Sequence, residues 1–323
     1  MKEVSALQAN AAHEIGVDVA TKLNIFDPSY KATRSIHSDT TLAKSSASKN
    51  TKVGQGINIK IDVDSNTRMG ISEKAVAERF SKAASRYDRL AAIQHSIAEQ
   101  GLRNLPVRLN GVALDIGCGT GVHTQSLNNR GLQAVGVDIA EGMLALAGNN
   151  YPHLTFKQGS AQALPFDSNT IDVAYSSMAL QWANSPSCVA KEIHRVLKNG
   201  AIAELAIMVS GSFEELTRAR RVAQLPTATT PLPTGTTWYA AFRDTKLAVK
   251  RIITRDYVDS HSDMMSLLRS VKGIGAGETG KQQKMLSRQD IQKLSKAYPK
   301  IHSKVACFPL TYRVCHFRLE KHA

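Results

Sequence analysis

The sequence predicts an α/β protein built on a doubly wound parallel sheet, and three observations predict it. An apolar run, Val112-Ala-Leu-Asp115-Ile116, leads straight into Gly117, Gly119 and Gly121. A second apolar stretch ends on Asp138, at the spacing where nucleoside-binding α/β folds place a ribose-gripping carboxylate. Between Val112 and Met208, short apolar stretches alternate with segments of helical periodicity, the pattern of successive βαβ units.

Taken in order, residues 1–70 are rich in Ser, Thr, Asn and Lys and poor in aromatics, the composition of a flexible or weakly folded extension. Within them, residues 17–25 have amphipathic spacing, and Ile57, Ile59, Ile61 and Val63 alternate as along a strand. The main domain is expected over 71–323. It opens with two cap helices across 72–105, the first carrying Val76, Phe80, Ala83, Ala84 and Tyr87, the second Ile93, Ile97 and Leu102. Strands are expected at 112–116, 134–137, 154–158, 171–176 and 201–208, with helices near 121–130, 141–149 and 187–197. The alternation then breaks. Residues 212–243 carry one helical segment, a Pro/Thr-rich connection over 226–237 and the aromatics Trp238, Tyr239 and Phe242, which reads as a lid inserted at about 210–246. A late strand at 247–258, helices at 262–271 and 287–297, and a last strand at 312–319 complete the pattern.

The glycine spacing is G-x-G-x-G and not the G-x-G-x-x-G of the dinucleotide fingerprint, and Asp115 precedes it. A carboxylate there repels a pyrophosphate and attracts a cationic or amino-bearing ligand. This favours S-adenosylmethionine over NAD, with Asp115 at the methionine ammonium. Asp138 serves the ribose hydroxyls or caps the helix that follows it, roles that can coexist. Cys118 inside the loop reads as a small residue in tight space, or as a thiol activated by a helix N-terminus.

Lys and Arg number 41 against 27 Asp and Glu, a formal net charge of +14. Such a field steers acidic partners, either nucleic acid or an acidic carrier protein, or simply keeps the chain soluble. The four cysteines show no C-x-x-C pair and no histidine at metal-ligand spacing, so no metal site is expected and the thiols read as reduced. No apolar run reaches transmembrane length and the N-terminus lacks a secretory apolar stretch, which points to the cytoplasm.

Several segments together resemble the malonyl-acyl-carrier-protein O-methyltransferases that open pimelate synthesis in the biotin pathway. They are Phe80-Ser-Lys-Ala-Ala-Ser-Arg-Tyr87-Asp with Gln94, Leu114-Asp-Ile-Gly-Cys-Gly-Thr-Gly121, Ser176-Ser-Met-Ala-Leu-Gln181-Trp182, Glu192-Ile-His-Arg-Val-Leu197, Leu268-Arg-Ser-Val-Lys272-Gly-Ile-Gly-Ala and Pro309-Leu-Thr-Tyr312. The likeness runs from Ala75 to the C-terminus and implies the class I methyltransferase fold, mostly parallel with one antiparallel strand near the C-terminus. It also implies a cofactor site formed by Asp115, Gly117, Gly119, Gly121, Asp138, Ile139, Met143, Ser160, Ala161, Gln162 and Ser176. The segment Gly159-Ser160-Ala161-Gln162-Ala163-Leu164-Pro-Phe166 resembles the G-D-A-x-x-L-P-F stretch that borders the adenine in such enzymes. Its aspartate is Ser160 here, which supplies no carboxylate.

The reaction so implied is methyl transfer from S-adenosylmethionine to the free carboxylate of a malonyl group on an acidic acyl-carrier protein, or on malonyl-CoA. That carboxylate is ionised at neutral pH, so no general base is required. Tyr87, Arg269 and Lys272 are the candidates to hold it, each with a plainer reading as helix packing, a solvated face or a docking surface. Gln181 and Trp182 follow the fourth strand's carboxyl end, where open α/β sheets bind ligands. His194 reads as a helix residue. Arg218, Arg220 and Arg221, with Arg269 and Lys272, form the expected carrier-docking surface. Three alternatives stay open: methylation of a small free carboxylic acid, a cofactor-binding module without catalysis, and nucleic-acid methylation, although the Asn/Asp-Pro-Pro-aromatic motif of amine methylation is absent.

Overall fold

In the computed structural model the described residues are 72–226, 231–273, 286–299, 301–302 and 306–322. The expectations for residues 1–70 lie outside them. Helices α1 (Glu73–Leu90) and α2 (Ala92–Asn104) lead into β1 (Val112–Ile116), α3 (Val122–Asn128), β2 (Gln133–Asp138), α4 (Glu141–Asn150), β3 (Thr155–Gln158) and β4 (Ile171–Ser177). A single 3₁₀ turn, Leu180–Trp182, follows. Then come α5 (Pro186–Val196), β5 (Leu197–Met208), α6 (Glu214–Val222), α7 (Gly235–Asp244), β6 (Leu247–His261), α8 (Met264–Gly273), α9 (Arg288–Ala297), β7 (Ile301–His302) and β8 (Ala306–Lys321).

Helix starts follow the side chains that can satisfy the first free amides. Ser72 accepts from the Ala75 amide, Ser185 accepts from Cys188 with Pro186 in the first helical turn, and Thr234 accepts from Thr237. At α9, Ser287 and Asp290 cap each other reciprocally.

The strands lie in the order β3-β2-β1-β4-β5-β8-β6, with β7 attached to β8. The pairs among β1 to β5 are parallel, whereas β8 runs antiparallel to both β5 and β6. This is the class I methyltransferase sheet, with its reversed strand near the C-terminus. Alternation along each strand sends side chains to opposite faces. Leu114, Ala174, Ala203 and Leu205 join one apolar layer with α5 and α7, while Ala113, Val173 and Tyr175 join the other with α3 and the end of α2. Across that second face, buried Glu204 binds Arg318 at 2.7 Å and accepts from Asn104 at 2.9 Å, tying α2 to the sheet centre.

The inserted segment after β5 differs in detail from the expected single helix. It holds two helices, α6 and α7, and the aromatics Trp238 and Phe242 are fully buried, stacked on each other and joined to the central core with Phe317. Their spacing of four residues is a helix face turned to the sheet. Only Tyr239, on the opposite face, is exposed. We predict that Phe242→Ala costs roughly 3–5 kcal/mol of unfolding free energy by chemical denaturation, the range for a buried aromatic. Tyr239→Ala should cost under about 1 kcal/mol. Equal, small effects would return α7 to the surface.

Candidate functional site

The carboxyl ends of β1, β2, β3 and β4 open on one cavity of about 750 Å³, counting space continuous with solvent. The β1 end contributes Ile116, Gly117 and Gly119, the β2 end Val137, Asp138 and Ile139, and the β3 end Gly159, Ser160 and Ala161. β4 ends on Ser177, and beyond it come Met178, Ala179, Leu180, Trp182 and Ala183. Helix α1 closes the cavity from outside the sheet with Glu73, Val76, Phe80 and Tyr87, and α4 adds Met143.

The glycine loop is folded over the end of β2. The amides of Gly117 and Cys118 both donate to the Val137 carbonyl, at 2.7 and 3.0 Å. The Gly119 amide donates to Asp138 Oδ2 at 2.9 Å, and the Ala140 amide to Oδ1 at 2.8 Å. All three glycines have positive φ, a region that strains other residues. A side chain at Gly117 would strike Ala179, and one at Gly121 would strike Phe156 and Tyr151, but Gly119 faces open space.

A second, more polar cavity shares Tyr87, Gly117, Gly119, Ser177 and Met178 with the first. Its own walls include Asp88, Gln94, His95, Thr120 and His123. Thr120 donates to Asp88 at 2.9 Å, and His95 lies 3.7 Å from the same carboxylate oxygen. Burial, helped by neighbouring His95, lowers the pKa of His123 to about 4, so its ring is neutral at pH 7. Among the described residues its buried Nδ1 has no hydrogen-bond partner.

The structure brings together Tyr87, Gly117, Gly119, Asp138, Ile139, Met143, Ser160, Ala161 and Trp182 on the first cavity's walls. Other expected residues stand elsewhere. Asp115, 2% exposed, accepts from Thr124 Oγ1 at 2.7 Å, bracing α3 against β1, and does not line either of these two cavities. Ser176 donates to the Ile116 carbonyl at 2.7 Å behind the wall, while its neighbour Ser177 faces both cavities. Strand alternation separates the two.

Gly121 caps α3 away from the cavity. Gln162 lies behind Ser160, donating through Nε2 to Glu73 and accepting from the Ser185 amide at 2.8 Å. Gln181 is 1% exposed and donates to the Met178 carbonyl at 2.6 Å. It steadies a turn in which Met178 holds a left-handed backbone, φ 56°, a strain found at ligand-facing positions. Arg269 and Lys272 are exposed on α8 and line neither cavity. The cation that rests on the cavity wall is Arg79, its guanidinium 5.5 Å from the centroid of the Trp182 ring system. Phe80 meets the same Trp182 edge-on.

Residues 114–205 match the family described as a methyltransferase domain. A malonyl-acyl-carrier-protein O-methyltransferase from Serratia marcescens is 30% identical over 251 residues, 76% of this chain and 95% of that protein. The chain belongs to this O-methyltransferase family. The biotin biosynthesis bifunctional protein BioHC of Cellvibrio japonicus is 31% identical over 255 residues, 78% of this chain and 51% of that longer protein. Among solved structures, the YcgJ protein of Bacillus subtilis superposes with a TM-score of 0.52 at 15% identity, covering 71% of this chain and 99% of its own, a likeness of fold.

In this methyltransferase the wall residues that sequence reading missed come from α1 and from the turn after β4: Glu73, Val76, Phe80, Ser177 and Met178. Helical spacing marks Val76 and Phe80 only as apolar. Nothing local marks them as facing a ligand. The acids around the site share one electrostatic character. Burial raises the pKa of Asp115 to about 7, opposed by the Thr124 hydrogen bond and reinforced by Asp138. Burial also raises Asp138, against the pull of its backbone amides. A carboxyl that keeps its proton up to about pH 7 when folded but releases it near 3.8 when unfolded makes the native state bind more protons in between. The contribution to stability therefore falls as pH rises through that window and is flat above it. We predict that Asp115→Asn gains roughly 1–3 kcal/mol relative to wild type between pH 5 and pH 8 in urea unfolding. An unchanged difference would mean that Asp115 titrates normally.

Proposed function

We propose that this enzyme transfers a methyl group from S-adenosylmethionine to the free carboxylate of a malonyl group carried on acyl-carrier protein, an early step of biotin synthesis. One observation carries the reading: a cavity whose nucleoside side is walled by carboxylates and whose far side is aromatic and dry. The family membership supports the reaction class. Gly119, with open space before it, and the unpaired nitrogen of His123 fit a cofactor lying across both cavities.

Asp138 has a second lone pair on each oxygen beyond those facing Gly119 and Ala140, and these take the ribose hydroxyls. Ile139, Met143 and Ala161 flank the base. The amino and carboxylate ends of the methionine belong to the second cavity, with Asp88, Thr120 and His123. When bound, the cofactor supplies a methyl on a sulfonium, and attack by the malonyl oxygen forms the O–C bond while the S–C electron pair returns to sulfur.

No proton moves in that step, so the protein's task is alignment and exclusion of water. Phe80 and Trp182 form an aromatic wall, with the Arg79 guanidinium stacked near the Trp182 ring. Burial first, then the negative charges of Asp138 and Asp88, hold the Tyr87 hydroxyl well above its ordinary pKa. Tyr87 thus stays protonated and donates to the nucleophile without neutralising it.

The excess of basic residues complements an acidic carrier. Arg218 and Arg221 are exposed on α6 and serve this surface, whereas Arg220, 6% exposed, donates to the Pro226 carbonyl at 2.7 Å and is structural. The same reading puts the enzyme in the cytoplasm. Among the described residues Cys118, Cys188 and Cys315 form no disulfide, as a reducing compartment would leave them, and no helix is long and apolar enough to cross a membrane.

The test is methylation of malonyl-carrier protein, malonyl-CoA and free malonate, followed by mass spectrometry of the ester. Preferential methylation of the carrier form supports the reading, and equal rates on free malonate would assign a small-acid substrate. We expect Tyr87→Phe to lower kcat about tenfold or more with little change in cofactor affinity. Reversing charge at Arg218 and Arg221 should raise KM for the carrier and weaken its salt dependence while leaving malonyl-CoA kinetics unchanged. A matching loss on malonyl-CoA would refute the docking role.

A further inference from the structure

One carboxylate on the cavity wall comes from outside the sheet. Glu73 is the first residue of α1, and its Oε1 accepts from Ser160 Oγ at 2.7 Å and from Gln162 Nε2. Gln162 is held in turn by the Ser185 amide, and the Gln162 amide donates to Ser160 Oγ at 3.1 Å. The hydroxyl of Ser160 is therefore engaged as donor to Glu73 and as acceptor from Gln162. Glu73 itself is only partly buried and lines the cavity beside Gly159, Ser160 and Ala161. Two donors fix one of its oxygens, and among the described residues no hydrogen bond reaches the other.

Position gives that carboxylate a ligand. β2 and β3 are neighbours, with Asp138 paired to Gln158. A ribose held at Asp138 places its base towards the end of β3, where Ser160 and Glu73 meet. A carboxylate only accepts hydrogen bonds, so it suits the exocyclic amino group of an aminopurine and opposes the oxygen of a 6-oxopurine. Ser160 carries no charge for that task.

We propose that Glu73 reads the exocyclic amino group of the cofactor's base, supplying from α1 the carboxylate that position 160 lacks. This rests on the cavity being the S-adenosylmethionine site. It makes α1 part of the base-recognition surface as well as the wall of the methyl-acceptor side.

The experiment is calorimetric titration of the full chain with S-adenosylhomocysteine and with S-inosylhomocysteine, which differ only in the amino or oxo group. Wild type should prefer the adenosyl ligand about tenfold or more. Glu73→Gln should weaken the adenosyl ligand by a similar factor and leave the inosyl ligand unchanged or tighter, because the amide can donate to the oxo group. Ser160→Asp added to Glu73→Gln should restore the preference. Retained discrimination in Glu73→Gln, or an equal loss for both ligands, would overturn the proposal, the second result marking a structural role. Wild type that binds both alike would overturn it as well. Wild type that binds neither would remove the cofactor reading itself, a distinct failure.

Discussion

The carboxylate of Asp138 is the point on which the site's geometry turns. It sits at the end of β2 and accepts the amides of Gly119, from the loop after β1, and Ala140, from the entry to α4. Two loops from adjacent strands are thereby locked to one side chain. The same residue lines the cavity, so the group that shapes the loop also forms part of the wall. Burial costs the charged form of Asp138, and the backbone amides offset part of that cost. A bound cation would offset more.

That arrangement separates the protein's electrostatics into two scales. At long range the chain is strongly basic. Inside the cavities the acidic wall residues are Asp138, Glu73 and Asp88, with Asp115 buried. The two fields act at different distances, so the basic exterior and the acidic cavity walls do not cancel one another. The methyl-acceptor side needs little acid–base equipment, and its aromatic wall of Phe80 and Trp182 supplies the low-dielectric surroundings in which an ionised nucleophile is least shielded.

The parts of this design legible in the sequence were those with local signals. Glycine spacing, the apolar strand ahead of it and the acidic residue closing the next strand mark β1, β2 and the loop without reference to anything distant. Periodicity marks the segments that form α1 and α2. Burial by a partner element has no local signal. Trp238 and Phe242 read as lid aromatics because the Pro/Thr-rich stretch before them resembles a connection, yet their helix docks on the core. Ser176 and Ser177 differ only by strand alternation, and one residue of register decides which meets the ligand. Gln181 was placed correctly beyond β4, but the turn folds its amide back onto Met178. Glu73 and Ser160 are separated by most of two βαβ units, and only the folded chain joins them.

The position of β8 has a consequence for how the polypeptide is made. This strand comes after β6 in sequence but lies between β5 and β6 in space, contributing pairs to both along Phe308–Lys321. During synthesis, β1 to β5 can assemble in order as they leave the ribosome, whereas β6 emerges with no strand to join. Until residues 306–321 follow, β5 presents an open edge and the Trp238 and Phe242 layer has no Phe317 to close against. Until β8 emerges the nascent chain is exposed to chaperone capture and edge-to-edge association, and β8 acts as the latch that ends that interval.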